Sequence, residues 1–469
     1  MSRIIDLSNP YVLQESGANI EKVLGLPYGA VDLTEAQETQ AKTNLGVVEQ
    51  PVDPEPTEDS ENLVASGGVY AWVLQQLTNV KTLVGIAITS APTKVDYLVG
   101  DALALSGIAV TATYTDGSTA DVTSACTFEP ATGDTLDVMG YQRVVATYNG
   151  QTAATEVVVS TPYIEIYSDQ PFSLQTYNNL KNWNGTMERS YNGTDWYEWD
   201  GITVLNTTTM SHWKYRILLR GTNNTKISAY SSQYFAITAT GDVYINGDIR
   251  MLLNYQNVAQ ASPVQSAFLN LFATNTSIVD ASQLLIPTAT AVNEYYSLFE
   301  NCTGLVNGPR LPAKSLTKAC YKRMYYGCTS LAKAQDLPAT TLAENCYEEM
   351  FHGCTALTKP ARMATANIAK RCYYEMYYGC TALDTLVELS ALTLADSCYY
   401  EMFRNTACKT SLYQSAQYPY AFRIPKKGTG TTANNALYYM LAGTGGEWTA
   451  NTPNINQTYF VQHEPLAAL

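Results

Sequence analysis

Met350-Phe351-His352-Gly353-Cys354-Thr355-Ala356-Leu357 is one of four stretches that repeat the same pattern every 26 residues. The others are Leu298-Phe299-Glu300-Asn301-Cys302-Thr303-Gly304-Leu305, Met324-Tyr325-Tyr326-Gly327-Cys328-Thr329-Ser330-Leu331 and Met376-Tyr377-Tyr378-Gly379-Cys380-Thr381-Ala382-Leu383. A fixed period of this size is typical of a solenoid, in which each unit buries its apolar face against its neighbours. Solenoids commonly form extended binding surfaces, so the sequence favours recognition over catalysis.

A single unit predicts a short extended segment followed by a helix. Leu337 should be extended, because a following proline disfavours the helical conformation. Apolar residues three to four positions apart between Leu342 and His352 predict an amphipathic helix. Gly353 is placed to end that helix in a left-handed conformation.

The N-terminal part predicts an anchor, a linker and a coiled coil. Residues 1–47 are short and polar, and a capping box at Thr34 starts one predicted helix. An acidic, proline-rich linker follows over 48–68. Residues 69–85 predict a coiled-coil helix, which indicates an oligomer, although an amphipathic helix packed on its own chain is the alternative. Its seam is Tyr70, Val73, Leu77, Val80 and Val84.

The spacing of apolar residues divides the remaining chain into domains. Over 86–160 the period is 2, and turn signals such as Asn149-Gly150 predict a small β-sandwich. Residues 161–258 predict a second β-rich domain with many Asn, Thr, Tyr and Trp residues. The solenoid is predicted over 259–412 and its terminal cap over 413–469.

Composition and charge exclude several classes of protein. The formal net charge is −14, so nucleic acid and anionic membranes are unfavourable partners. No run of about 18 apolar residues predicts a membrane-inserted helix, and the N-terminus has no apolar core of a secretory signal. The chain has 35 Tyr and 6 Trp but 3 His, which suits contact surfaces better than acid–base chemistry.

The cysteines follow the repeat. Eight of the ten form two ladders with the 26-residue period. Equivalent side chains of a solenoid stack in parallel, which does not supply disulfide geometry, so buried free thiols are favoured over bridges. A zinc site is disfavoured because no CxxC or HxxxH spacing occurs. The ladders are Cys302, Cys328, Cys354 and Cys380, and Cys320, Cys346, Cys372 and Cys398.

Catalytic chemistry has one weak candidate. Glu198 and Asp200 flank Trp199, and Trp196 lies nearby. Paired carboxylates with aromatic rings would suit a glycosidase or a sugar-stacking site, but a solvated hairpin rim is the preferred interpretation. We therefore predict no catalytic, cofactor-binding or metal-binding residues, and a protein that is not an enzyme.

Adjacent tyrosines in the repeat predict an exposed aromatic surface. In each pair one ring can face the core while the other faces solvent. The outer rings would be candidate ligand contacts, together with Trp196 and Trp199. The alternative is that both rings of each pair pack between units. The outer rings are Tyr326, Tyr374, Tyr378 and Tyr400.

Several motifs carry family resemblances. The repeat, with Leu337-Pro338-Ala339, Cys346-Tyr347 and Gly-Cys-Thr, resembles the BspA-type leucine-rich repeats of gut Bacteroidetes surface proteins and phage fibres. Residues 86–159, with Tyr114-Thr115-Asp116-Gly117-Ser118, resemble a bacterial Ig-like domain. Two N-terminal segments, 33–46 and 60–70, are similar to short motifs of phage fibres.

These resemblances together imply a multidomain protein of mixed fold. It would have a helical anchor and coiled coil, an Ig-like β-sandwich, a second β-rich domain, and an α/β leucine-rich-repeat solenoid with a C-terminal cap. The implied function is a virion fibre, on head or tail, assembled in the host cytoplasm. It would be a homotrimer that contacts a capsid or tail protein through residues 1–47. Its C-terminal half would bind a bacterial surface or a mucus glycan or protein. The alternatives are a secreted or cell-surface BspA-like adhesin and a polysaccharide-degrading enzyme.

Overall fold

The computed structural model describes residues 52–53, 63–64, 81–228, 232–364 and 367–469. The predicted helix within 1–47 and the seam residues Tyr70, Val73, Leu77 and Val80 lie outside these ranges, as does most of the linker. The chain forms two compact units. The smaller contains Met1–Val84 and Thr113–Thr119, and the larger contains Gly85–Ala112 and Ala120–Leu469.

The described part of the smaller unit includes two short parallel strands, β1 (Val52–Asp53) and β2 (Leu63–Val64). The predicted coiled-coil helix does not extend to residue 85, because strand β3 begins at Leu83. Val84 lies in that strand and is 58% exposed. Val84, Ile86 and Ile88 alternate with small residues, which is the period of a strand. The predicted helix therefore extends too far, into the start of β3.

The Ig-like region has two sheets with orders β3-β5-β6 and β4-β9-β8-β7. Strands β8 and β9 form its longest hairpin, closed by Asn149 and Gly150, which both have positive φ. Val144, Val157 and Val159 alternate into a core with Tyr97 and neighbouring leucines. The strands are β3 (Leu83–Ser90), β4 (Asp96–Leu98), β5 (Ala109–Tyr114), β6 (Thr119–Asp121), β7 (Thr127–Glu129), β8 (Gly140–Tyr148) and β9 (Gln151–Ser160).

The second β-rich region has a six-stranded sheet, β13-β12-β15-β10-β17-β18, and a three-stranded sheet, β14-β11-β16. Strand β18 comes from the predicted solenoid and pairs in parallel with β17, so one hydrophobic core runs through both regions. The strands are β10 (Ile164–Ser168), β11 (Phe172–Thr176), β12 (Thr186–Ser190), β13 (Tyr197–Glu198), β14 (Leu205–Asn206), β15 (Tyr215–Thr222), β16 (Phe235–Ala239), β17 (Val243–Asp248) and β18 (Ile278–Leu285).

Helix is scarce in the described residues. The single α-helix there is α1 (Met251–Asn254), which packs against β15. Three short 3₁₀ helices cover Thr123–Ala125, Tyr177–Asn179 and Val258–Gln260.

The 26-residue repeats form a stack of parallel turns, but the predicted helix from Leu342 to His352 is wrong. This segment is a ribbon of consecutive β-turns. Asn345 and Glu349 have φ of 62° and 54°, which an α-helix does not allow. The amide of Tyr347 donates to Cys372 O of the next unit at 3.0 Å, while Met350 N donates within its own unit to Tyr347 O. The expectation of an α/β solenoid is therefore corrected to a stack of turn ribbons.

Along the described ribbon, the hydrogen bonds between units run in one direction. Tyr295 N donates to Cys320 O, and Tyr321 N donates to Cys346 O, one unit further along the chain. At the first unit, Leu271 O accepts from Phe235 N of the β-rich region. At the far end, Leu441 N donates to Asn451 O. Both ends of the ribbon thus bond to non-repeat segments.

Inside the stack, equivalent aromatic rings form two continuous buried ladders. Neighbouring rings lie nearly parallel, 5.7–5.9 Å apart in the first ladder. The first ladder is Tyr295, Tyr321, Tyr347, Tyr373 and Tyr399, and the second is Phe272, Phe299, Tyr325, Phe351, Tyr377 and Phe403. This packing fixes the register of one unit on the next.

The C-terminal residues continue the stack and add a small sheet. Tyr399 N donates to Ala436 O, so the segment around Ala436 forms a further turn of the ribbon. The sheet has the order β20-β22-β19-β21. Its strands are β19 (Lys409–Ser411), β20 (Tyr420–Arg423), β21 (Gly445–Gly446) and β22 (Thr458–Val461).

Candidate interaction surface

The turn ribbon places alternate side chains on opposite sides, so each tyrosine pair is divided between core and surface. Tyr325 and Tyr377 are buried, whereas Tyr326 and Tyr378 are partly exposed. Tyr373 and Tyr399 are likewise buried beside outward-facing partners. In burial the pairs divide as predicted, but the outer rings are only partly exposed and also stack on rings of neighbouring units, as the alternative expected. Ligand contact by the outer rings stays a prediction.

The outer rings form two stacks, which we call the outer stacks. In the first, His352 lies between Tyr326 and Tyr378, with ring centroids 4.5 and 4.6 Å apart. In the second, Tyr400 lies between Tyr374 and Tyr438, at 4.7 and 5.2 Å. A central ring therefore has both faces covered, and the part of it that stays exposed lies at the ring edge. This geometry suits hydrogen bonding to a partner better than stacking against one.

Arginine side chains pack on the rings at the starts of the outer stacks. The Arg323 guanidinium lies 3.8 Å from the centroid of Tyr326, and that of Arg371 lies 3.6 Å from Tyr374. Arg323 also pairs with Glu300 at 2.7 Å and with Glu349 at 3.1 Å. The guanidinium groups are thus held by both carboxylates and rings, and the surface is ordered before any partner binds.

His352 is the one titratable ring within the outer stacks that is not a tyrosine. Burial lowers its pKa to about 4, and the nearby Arg323 charge adds to the effect. Its Nε2 lies 3.7 Å from Glu375 Oε2. Burial in turn raises the pKa of Glu375, and the neighbouring Glu349 and Glu401 add to this. At neutral pH the imidazole is therefore neutral and packs as an aromatic ring.

The two candidate tryptophans differ. Trp196 is partly exposed, and its indole Nε1 donates to Gly193 O. One of its faces is occupied by the Arg220 guanidinium, 3.8 Å from the ring. Trp199 is 2% exposed and packs against Trp183 and Phe235, so its assignment as a ligand contact is wrong. Its indole lies in the core with Nε1 donating to Thr203 O at 2.8 Å.

The carboxylates beside Trp199 lie in a turn and in an edge strand. Asp200 Oδ1 accepts from the amides of Ile202 and Thr203 at 2.8 and 2.7 Å, and these bonds lower its pKa. Glu198 is exposed in the short edge strand β13. Asp200 therefore closes a turn, as expected for a hairpin rim.

One part of the chain matches a known family. Residues 90–159 match the family model of the bacterial Ig-like domain, group 3. The Ig-like domain predicted from the sequence is thereby confirmed. No curated protein matches the chain. Domains of this kind are consistent with adhesion or display at a surface, without indicating a particular ligand.

The Ig-like domain joins the rest of the larger unit through a largely buried ion-pair cluster and one exposed ion pair. Arg250 Nη2 lies 2.6 Å from both Asp96 of the Ig-like domain and Asp248 of β17. Arg310 forms a bidentate pair with Glu156 at 2.9 Å. A cleft of about 570 Å³ lies beside these residues. The Ig-like domain is thus held by several charge-assisted bonds rather than by the chain alone.

The cysteines are free thiols, and all except Cys126 are buried. Cys354 Sγ donates to Tyr325 O of the preceding unit at 3.1 Å, and Cys328 and Cys380 make the equivalent bond. Burial raises the pKa of Cys302 to about 12. These thiols are protonated at neutral pH and serve as small core residues with a weak hydrogen bond.

Within the described ranges the chain has neither a cluster of metal ligands nor a membrane-spanning helix. There, His, Cys, Asp and Glu side chains do not form a group of three that is able to hold a metal ion. Among the described residues, no helix is both long and apolar enough to cross a membrane.

Proposed function

We propose that this protein is an adhesive fibre of a bacteriophage, which attaches to the particle through residues 1–47 and contacts a bacterial surface through its C-terminal half. The adhesive part of the proposal is supported by the outer stacks, an ordered surface of tyrosine edges and paired arginines along the repeat. The Ig-like domain at residues 90–159 agrees with adhesion in general. The phage origin rests on the resemblances of the repeat and of the N-terminal motifs.

The adhesive role is tested by removing hydroxyl groups from the outer rings while keeping their stacking. In one variant Tyr326, Tyr374, Tyr378 and Tyr400 are all replaced by Phe. Adhesion of the purified chain to host cells should fall about tenfold or more, since several edge hydrogen bonds are lost. The matched control is Tyr325→Phe, at a buried position where the neighbouring units already carry Phe299 and Phe351. Equal adhesion by both variants would contradict a contact through the outer stacks.

The particle-bound role is tested separately. Deleting residues 1–60 should abolish incorporation into particles, while the remaining chain still folds and adheres. Truncated protein present on particles at normal copy number would contradict the anchor. Detection of the intact protein on the surface of uninfected bacteria would instead favour the alternative of a cell-surface adhesin, which the Ig-like domain fits equally well.

The proposed homotrimer depends on the seam Tyr70, Val73, Leu77, Val80 and Val84. Because Val84 lies in β3, the helix that would carry the seam ends before it. Sedimentation equilibrium of the full chain should give a trimer, and Leu77→Asp should shift it to monomer. A monomeric wild-type chain at micromolar concentration would rule out the trimer.

A further inference from the structure

Trp213 is the most exposed large apolar side chain among the described residues, with 92% of its surface accessible. It lies at the tip of a two-residue turn between β14 and β15. Ser211 N donates to Lys214 O at 2.8 Å, and Lys214 N donates back to Ser211 O at 3.2 Å. His212 and Trp213 are the two residues enclosed by this pair of bonds.

The turn is strained by its sequence. His212 and Trp213 have φ of 53° and 64°, the left-handed region that both central positions of a type I′ turn require. Asn-Gly adopts this conformation readily, and the chain uses it at Asn149-Gly150. A bulky residue there costs roughly 1 kcal/mol or more. Folding stability therefore does not explain the choice of His and Trp, and the strain points to a function at the tip.

The base of the turn is anchored, and its tip is free. Lys214 Nζ lies 3.5 Å from the ring centroid of Tyr167, which stacks on Tyr244 at 5.1 Å. Trp213 takes part in no aromatic pair or cation–π contact with the described residues. Its indole is presented on a fixed base with both faces accessible, unlike the central rings of the outer stacks.

The surroundings suit a sugar ring better than a protein. Close to Trp213 along the chain, Thr208, Thr209 and His212 are exposed, and Met210 is an apolar residue that is 50% exposed. A protein interface needs about 800 Å² from each partner, far more than one indole and one methionine provide. A pyranose presents an apolar face bordered by hydroxyls, which suits an exposed indole in a segment that also carries exposed hydroxyl and imidazole groups. The net charge of −14 disfavours an anionic glycan.

We propose that the turn Ser211–Lys214 binds a neutral, pyranose-containing glycan, with a sugar ring stacked on Trp213 and its hydroxyls bonded by the neighbouring polar side chains. This inference rests on the adhesive function proposed above and assigns to it a second contact, separate from the outer stacks. A single stacked sugar binds weakly, so useful adhesion depends on several copies of the turn engaging one repetitive glycan.

The test uses a double variant that relieves the strain while removing the ring. His212→Asn with Trp213→Gly installs the preferred turn, so the full chain should fold with an unchanged or higher unfolding temperature. Both proteins are applied to an array of neutral, sialylated and sulfated oligosaccharides at equal density. The wild type should bind neutral glycans, and the double variant should bind them about tenfold more weakly or not at all. Trp213→Tyr should keep part of the binding.

Three results would overturn the inference. In the first, the double variant binds the array as strongly as the wild type. In the second, the wild type binds only anionic glycans or no glycan at all. In the third, sedimentation shows that Trp213 mediates self-association of the chain. Cell adhesion measured on the same proteins separates this inference from the broader proposal. If the double variant adheres to cells as strongly as the wild type, the proposed Trp213 contact is wrong but the proposed adhesive function stands. Absence of adhesion by the wild type contradicts the adhesive function itself.

Discussion

Acidification should weaken the repeat stack through His352. Burial and the Arg323 charge lower the pKa of this imidazole to about 4 in the folded chain. In the unfolded chain a histidine titrates near pH 6.5. Above that pH both states hold a neutral ring, and the histidine adds no pH dependence. As the pH falls from about 6.5 towards 4, the unfolded state takes up the proton first, so stability is lost across this window.

The size of the effect follows from the two pKa values. With about 4 in the fold and 6.5 in the unfolded chain, the loss is about 2 kcal/mol at pH 5 and about 3 kcal/mol at pH 4. The ring is 19% exposed, so solvent screening reduces these values only in part. Glu375 acts in the opposite direction, because burial raises its pKa and it takes up its proton more readily in the fold.

The variant His352→Tyr separates the contribution of the histidine to the pH dependence from that of other groups. Tyrosine occupies the equivalent positions 326 and 378, so the stack should keep its geometry, and Glu375 remains in both proteins. Hydrogen exchange of amides over 345–354, corrected for intrinsic rates, gives the free energy of local opening at each pH. Between pH 7 and 5, the wild type should lose about 2 kcal/mol more than the variant.

Peptides from the Ig-like domain serve as an internal reference, since the substitution should not alter their exchange. Parallel pH profiles for the two proteins over 345–354 would refute the assignment of a buried neutral imidazole. A wild type that becomes more stable than the variant on acidification would show that the charged pair with Glu375 outweighs burial.

Four further predictions concern the cysteines, two glycines of the repeat and the domain junction. In the native protein at pH 8, a thiol reagent should label Cys126 alone, and in denaturant without reductant it should label all ten cysteines; fewer would reveal disulfides. Gly353→Ala should cost about 1 kcal/mol by urea unfolding, because φ is +74° and the added methyl has room. Gly304→Ala should cost about 2 kcal/mol or more, although Ala356 and Ala382 fill the equivalent position, because its Cβ would lie 2.1 Å from Thr276 O. Arg250→Met should cost about 3 kcal/mol by leaving Asp248 buried and unpaired, and adding Asp248→Asn should restore part of the loss; an additive double variant would contradict the ion-pair cluster.

The sequence predicted the repeat but not its backbone. The 26-residue period and the outward and inward tyrosines depend on spacing alone, and the structure agrees with both. A ribbon with a left-handed residue every fourth position, as at Asn345 and Glu349, repeats its buried face at nearly the period of a helix. Apolar spacing therefore does not separate the two. The choice is made by hydrogen bonds to the next unit, which one unit read by itself does not contain.

For the candidate ligand contacts, too, the sequence predicted some features and the tertiary fold decided the others. Trp196 and Trp199 share one polar, aromatic stretch, and only the tertiary fold decides that Trp199 enters the core beside Trp183. Trp213 lies in a stretch without apolar periodicity, so pattern alone gives it no special status. Its proposal as a glycan contact is based on exposure and on its positive φ, both of which are properties of the folded chain.

The one-way hydrogen bonding of the ribbon makes the two ends of the stack chemically complementary to each other. One end offers carbonyl oxygens such as Leu271 O, and the other offers amides such as Leu441 N. An uncapped copy would therefore fit onto the next one head to tail, a contact that generates open filaments rather than closed oligomers. Phe235 N at one end and Asn451 O at the other occupy these groups. The segments that flank the repeat thus cap both ends of the stack and prevent further copies from adding to it.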